Sequence, residues 1–403
     1  MSTGERTAHV AERGAAVAAD VAAAVAAQRS DLEAFALDLH AHPETAFEER
    51  RSAGRLVAAL QASGFEVETP VAGLETAFVA RHRFGPGGPR IALIAEYDAL
   101  PGLGHACGHN LISAASLGAA RALKRSLDVD TGELLVIGTP AEEGGGGKIL
   151  MLRAGVFDGV DAAMMFHPGA RTMTTRGALA ATRVTMRFHG KAAHAAAAPH
   201  LGVNALDACI QTFNAINALR QHVRDETRIH GIITHGGDAP NITPAFAEAK
   251  FIIRHRSHGY VDELKERVLA AARGAAASVG ASVSFEEGLA YAERKVNHVL
   301  ADRFRAHLEA QGEAVLEPLS VGGVGSSDFG NLSQALPAIH PYVAMVPEGT
   351  SAHTPEFAAA AASSAGMRAL HLAATALAAT AADLFRDPSV LAAATAEFHG
   401  EAA

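Results

Sequence analysis

At 403 residues the chain is too long for one ordinary hydrophobic core, so two domains are expected. Hydrophobic residues make up 49% and charged residues 19%, the balance of a soluble globular protein. A net charge of −9 and the absence of Trp argue against nucleic acid or an anionic membrane as the main partner, and two cysteines, Cys107 and Cys209, exclude a disulfide scaffold.

In chain order, residues 8–40 carry Ala, Leu and Val at helical spacing. The apolar stretch 14–27 is interrupted by Asp20 and preceded by Glu12 and Arg13, which fits a surface helix better than a signal sequence. No other run approaches a charge-free membrane span, and a cytoplasmic location is expected. "HPETAFEE" (42–49) follows, then a helix over 51–64 closed by Gly64. Residues 65–70 and 75–84 alternate like strands, and 90–100 is a near-continuous apolar run, as in a central strand covered on both faces. A helix over 111–127, a buried strand over 132–143, a helix over 148–157 and a third strand over 161–169 complete an alternating α/β layer. Ligands collect beyond the carboxyl ends of such strands. Here three apolar strands run into Glu96 and Asp98, into Glu142 and Glu143, and into His167.

The pattern changes at residue 179. Strand (179–190), helix (204–223), two strands (228–237 and 245–257), helix (260–280) and strand (281–288) spell a ferredoxin-like α+β unit. An α/β pattern then resumes: a helix over 296–312, a loop over 320–333, a strand in "AIHPYVAMV", a loop in "EGTSAHTPEF" and closing helices. The fold class is therefore layered α/β with an inserted ferredoxin-like α+β unit. The expected domains are a first part over 1–178, the insert over 179–290 and a second part of the α/β layer over 291–403.

"HACGH" supplies Cys107 and His109 in a glycine-bearing loop, and thiolate and imidazole are good zinc ligands. Glu142 and Glu143 follow a buried strand. Neighbours in an extended segment point opposite ways, so one carboxylate is expected on a metal and the other on a bound water. His167 and His353 stand on further loops. Cys107, His109, Glu143, His167 and His353 together are too many for one closed tetrahedral zinc. They suit two metals roughly 3.5–4 Å apart.

The segments "HPETAFEE", "EYDALPGLGHACGHN", "PAEEGGGGK", "FHPG", "HGKAAHAAAAPHLGVNALDA" and "SAHTPEF" resemble, in order, the motifs of metallopeptidase family 20, the aminoacylase and carboxypeptidase group. The Cys-Gly-His version is similar to its amidohydrolase subfamily, and to a dipeptidase branch within it. The resemblance spans roughly residues 30 to 380. It implies two divalent metal ions, zinc first and manganese or cobalt as alternatives, on the five ligands named above. It implies Glu142 as general base and His194 as a lid histidine stabilising the tetrahedral intermediate, usually from the partner subunit of a homodimer. Asn241 and Arg254 match lid positions that touch substrate, although Arg256 is close enough to compete for the second role. Asp98 is expected to orient a ligand histidine. Asn110 stands where many relatives have Asp, and "EYDALP" where many have "DMDALP". Both departures leave the ligands intact.

The implied reaction is hydrolysis of an amide in a small molecule: an N-acyl or N-aroyl amino acid, or a dipeptide with an unusual residue. The alternative is a metal-binding regulatory relative without catalysis, which would be expected to lack Glu142. A ligase or transferase would want a phosphate-cradling motif, and "EEGGGGK" lacks that spacing. Cys107 as a nucleophile would need a paired base and an oxyanion site.

Overall fold

The apolar runs of the first half meet edge to edge in a six-stranded mixed sheet. In the computed structural model, residues 19–318 and 325–401 are described. A helical stretch over 19–26 turns at residues 27–28, where the Gln28 amide donates back to the Ala24 carbonyl at 2.9 Å, and α1 (Arg29–Ala41) begins. The single helix expected over 8–40 is thus broken, and its part before residue 19 lies outside the described residues. Next come α2 (Arg50–Ala62), β1 (Glu66–Glu68), β2 (Phe78–Gly85), β3 (Arg90–Glu96), α3 (His109–Ser126), β4 (Gly132–Thr139) and α4 (Gly147–Arg153).

β5 (Ala162–Met164) and β6 (His167–Gly169) replace the single strand expected over 161–169. β5 lies in the main sheet, in the order β1-β2-β4-β3-β5-β11, where β11 is Ala338–Ile339. β6 leaves that sheet and pairs in parallel with β12 (Tyr342–Ala344). His167 therefore opens a separate short strand instead of closing a long one. The strand expected in "AIHPYVAMV" is likewise split, at His340 and Pro341, into β11 and β12.

β3 and β4 run parallel, and all eight residues of β4 are buried. Its middle, Leu134 to Ile137, is apolar because neither face meets water, while Glu133 near its start is paired with Arg83 and Arg90. α3 packs on β3 and β4 and is itself covered by α1, which contributes Leu32, Phe35, Ala36 and Leu39. The long α10 (Ser364–Arg386) completes this cover.

Residues 178–294 and 325–330 form a second compact unit. Here β7 (Ala180–His189), α5 (Ala205–Leu219), β8 (Arg228–His235), β9 (Phe246–His255), α6 (His258–Ser278) and β10 (Ser282–Glu287) follow one another. The four strands are antiparallel in the order β10-β7-β9-β8. Numbered within the unit this is 4-1-3-2, the ferredoxin-like arrangement expected from the sequence. Its core is Val184, Met186, Phe188, Phe251, Leu264 and their neighbours, sealed under α5 and α6. Asn204 caps α5 by accepting from the Leu206 and Asp207 amides.

The rest of the chain returns to the first unit through α7 (His298–Glu309), α8 (Phe329–Ala335), which begins in the second, and α9 (Pro355–Ala360), and closes with α11 (Pro388–His399) beyond α10. α8 occupies part of the region expected as a loop over 320–333. Residues 319–324 lie outside the described residues.

Candidate metal centre

β3 ends at Glu96, and the chain then winds through Asp98 to Cys107 and Gly108 before α3 starts at His109. Gly108 sits at φ 77°, and a Cβ there would lie 2.4 Å from Pro168 Cγ. Only glycine lets this turn and β6 approach so closely. The result sets Cys107 Sγ 3.4 Å from His167 Nε2.

His109 is fully buried. Its Nδ1 lies 2.9 Å from the Asp98 carbonyl and 3.1 Å from Asp98 Oδ1, both acceptors. Nδ1 must then carry a proton, which leaves Nε2 as the nitrogen a cation would take, displacing any proton there. Burial alone would lower the His109 pKa, but the Asp98 charge and hydrogen bond overcome it and hold the pKa well above the ordinary histidine value. Burial would raise Asp98, and His109 outweighs that, leaving the carboxyl low. The Cys107 thiol is pushed up, first by burial.

Glu142 and Glu143 do not sit in an extended segment. Ala141 takes φ 58°, and residues 142–145 form a turn. The two carboxylates therefore do not diverge as an extended chain would require: both reach the same place. Donor atoms of His109, Glu142 and Glu143 all lie within 4.8 Å of one another. The same holds for Cys107, His109 and His167, and for Cys107, Glu143 and His353. The three triads interlock, because Cys107, His109 and Glu143 each belong to two of them. Glu143 Oε1 lies 3.0 Å from His353 Nε2. Burial would raise the Glu143 pKa, but His353 and His109 hold it below the ordinary value. His353 is itself left-handed at φ 65°, with its amide donating to the Ala106 carbonyl. Thiol, imidazole and carboxylate donors, with His109 Nε2 turned away from its Asp98 anchor, are a donor set that fits divalent cations of the zinc type.

Three residues around this cluster carry roles that sequence reading missed. Asp98 was expected to orient a histidine, but it also accepts the Glu143 amide on Oδ2 at 2.9 Å. Lys148, after the glycine run, is fully buried and ion-paired with Glu96, itself buried and 3.6 Å from His109 Nε2. Glu49, from "HPETAFEE", is buried with no exposure and accepts from the Ala141 amide. Its pKa is raised to about 7, chiefly by burial. The motif segment containing Glu49 was the only signal for it. His105 turns elsewhere, stacking on His40, and burial lowers its pKa to about 3.

In the second unit, His194 is exposed and its Nδ1 accepts from the Ala196 and Ala197 amides at 3.3 and 3.1 Å. The ring proton of the neutral imidazole is thereby assigned to Nε2. The His194 loop is stitched to that of Asn241, with Ala195 N donating to the Asn241 carbonyl at 3.0 Å. Arg254 is brought to neither. It pairs across the sheet with Ala181, at the end of β9 opposite Phe246, where the two loops emerge. The eight residue steps from Phe246 to Arg254 span about 26 Å at the usual strand rise. Arg254 is half-buried, donates to Ser326 Oγ at 2.8 Å and has no carboxylate partner among the described residues. Arg256 is bound by Glu226, with Nη2 to Oε1 at 2.8 Å.

Carboxylates and histidines gathered beyond the carboxyl ends of a parallel-centred sheet, with a ferredoxin-like insert, are the layout of a metal-dependent hydrolase. Comparison with known proteins makes that class a family: the chain belongs to peptidase family M20/M25/M40, whose profile matches residues 92–381. It is 37% identical over 400 residues to the Xaa-Arg dipeptidase of Mus musculus, covering 93% of this chain and 91% of that protein. It is 42% identical over 274 residues to one of the subunits of p-aminobenzoyl-glutamate hydrolase of Escherichia coli, covering 63% of this chain and 56% of that one. A solved Bacillus subtilis structure, described as a dinuclear metal binding peptidase of the M20 family, superposes with a TM-score of 0.68 at 22% identity, covering 89% of this chain and 99% of that one. The protein is a metal-dependent hydrolase acting on carbon–nitrogen bonds. Among the described residues no helix is long and apolar enough to cross a membrane.

Proposed function

We propose that the protein hydrolyses the amide bond of an N-acyl or N-aroyl amino acid, or of a dipeptide, at a binuclear centre ligated by Cys107, His109, Glu143, His167 and His353. The observation that carries this reading is the interlocking of the three donor triads, with Glu142 at their edge. Two divalent cations, zinc by the preference of thiolate and imidazole, with manganese or cobalt as alternatives, polarise the amide carbonyl and acidify the attacking water when bound.

The chain's own groups do the rest. Asp98 holds the His109 tautomer. Glu142 takes a proton from the water and passes it to the leaving amine. His194 donates its Nε2 proton into a hydrogen bond with the developing oxyanion. Asn241 contacts the substrate beside it. Arg254, half-buried and without a carboxylate partner among the described residues, grips the substrate carboxylate in preference to Arg256, which Glu226 already occupies. The relatives named for Xaa-Arg dipeptides and p-aminobenzoyl-glutamate support a substrate of this kind.

A homodimer through the second unit belongs to the same reading. Arg254 and the loop that carries His194 belong to opposite ends of β9, a separation that a substrate the size of a dipeptide does not span. A second copy supplies His194 and Asn241 to the site that Arg254 serves. β8 is an edge strand with exposed Ile232 and Ile233, and α5 exposes Ile210. Such surface calls for a cover.

The test is Glu142→Gln, assayed on a panel of N-acyl amino acids and dipeptides after chelation and re-metallation. Metal content should stay at wild-type level while kcat falls by roughly 10²–10⁴-fold. A variant that turns over normally would remove Glu142 from the reaction.

A further inference from the structure

We propose that Glu49 is a positioning residue for catalysis: its carboxylate holds Ala141 in the left-handed conformation that aims Glu142 at the reacting water. This rests on the reading of Glu142 as general base.

Glu49 lies at the start of α2, 92 residues from Ala141. Its Oε1 accepts two backbone amides, from Phe47 and from Ala141, each at 2.9 Å. Its Oε2 accepts from Thr76 Oγ1 at 2.8 Å. No Lys, Arg or His pairs with it among the described residues. Burying a carboxylate on neutral donors alone is costly, and a purely structural position is better filled by an apolar side chain.

The donors explain the choice. Among the described residues, five non-glycine residues have positive φ: Phe47, Ala72, Ala141, Glu226 and His353. Two of those five hang from the same oxygen of Glu49. Left-handed backbone at an alanine persists only where its surroundings impose it. Two residues on, Asp98 accepts the Glu143 amide in the same way. The backbone on either side of Glu142 is thus gripped by two buried carboxylates. The Phe47 ring closes the arrangement over Gly145, where a Cβ would meet Phe47 Cε2 at 2.6 Å and Ala141 Cβ at 2.5 Å. Neither the Glu49 carboxylate nor the Phe47 ring is a metal donor; together they shape the turn that carries one.

The experiment compares Glu49→Ala, Glu49→Gln, Ala141→Val and the double variant Glu49→Ala/Ala141→Gly, each loaded with metal and assayed for kcat, KM and metal content. Glu49→Ala should lower kcat on the order of 10²-fold, with metal retained and KM within a few-fold, because misplacing a reacting group by about 1 Å costs that much. Glu49→Gln should restore most of the rate, since an amide oxygen still accepts both backbone donors. The double variant should recover at least about tenfold in kcat over Glu49→Ala, because glycine adopts positive φ without the steric penalty. A clasp that served folding alone would show no such rescue.

Should Glu49→Ala not fold, Ala141→Val decides, because a β-branched residue resists this backbone while leaving Glu49 in place. Its kcat should fall as well. Full kcat in Glu49→Ala or Ala141→Val, or a loss in Glu49→Ala that glycine at 141 does not relieve, overturns the inference. If Glu142→Gln is inactive while Glu49→Ala is normal, only this inference falls. If Glu142→Gln is active, the proposed reaction falls with it.

Discussion

The two units hold their candidate functional groups in opposite ways. In the first, Cys107 and His109 are buried, and the segments that carry the donors are tied down by Asp98, Glu49 and the Glu96–Lys148 pair, all buried. In the second, His194 and Asn241 sit on exposed loops joined by backbone bonds, and no charged side chain bonds to either imidazole nitrogen of His194 among the described residues. Groups that must hold a fixed geometry are fastened by charged hydrogen bonds in a low-dielectric interior, where such bonds are strongest. Groups that must meet a substrate arriving from water stay on the surface. The comparison says where mutations should hurt turnover, where they should hurt metal affinity, and where they should do little.

After Glu142→Gln, the largest effect should come from the exposed side. His194→Ala should cost on the order of 10²–10³-fold in kcat, the usual loss of one oxyanion donor, with metal content unchanged. Mixing it with Glu142→Gln sharpens the point. If His194 serves the partner's site, a mixed dimer holds one site with both groups intact and one with neither. Two inactive preparations combined at equal amounts, after subunit exchange, should then regain about a quarter of wild-type activity. No recovery, in a preparation where mixed dimers are demonstrated, would place His194 in its own subunit's site.

The buried side should answer through metal affinity. Asp98→Asn can still accept from His109 Nδ1, but its amide nitrogen cannot accept the Glu143 N–H that Oδ2 now takes. Weakening such an outer partner typically costs 10–100-fold in metal affinity, so about that loss is expected in a chelator competition titration, with kcat at saturating metal changed far less. An unchanged metal affinity would mean that His109 needs no orienting carboxylate.

How far each side was legible follows from the same contrast. The three strand ends stood out because Glu96, Glu142 and His167 interrupt apolar runs that had no other use for them. The 4-1-3-2 insert was legible because its strands are long and its helices periodic. The turn at Ala141 was not, since nothing in an alanine announces positive φ, and a turn there sends Glu142 and Glu143 to one side. Glu49 was hidden because its decisive partner is 92 residues away. Lys148 carried no signal of its own in the sequence, because its burial against Glu96 is set by the fold. The breaks at Met165–Phe166 and at His340–Pro341 escaped because strands of two or three residues are defined by their neighbours' pairing and carry too little sequence to have a period.

The smallest effect separates two neighbouring arginines. Arg254 stands in β9 and Arg256 one residue beyond its end, and they differ in what they already hold. Among the described residues Arg254 offers its guanidinium to Ser326 alone, and its pKa is lowered by burial and then by Arg183 nearby, so an anion arriving there relieves an unfavourable charge. Arg256 is exposed and satisfied by Glu226, a pair whose exposure leaves it little energetic weight. Lysine keeps the charge but loses the planar fork that binds a carboxylate through two bonds. Arg254→Lys should therefore raise KM by roughly tenfold for substrates with a free carboxylate and leave kcat within a few-fold, the signature of lost uniform binding. Arg256→Lys should match the wild type in both constants. If the substrate's carboxylate is masked as an amide, the wild type should show the high KM of Arg254→Lys, and the variant should lose nothing further. Equal KM for masked and free substrates in the wild type would release Arg254 from the role and turn attention to groups nearer His194.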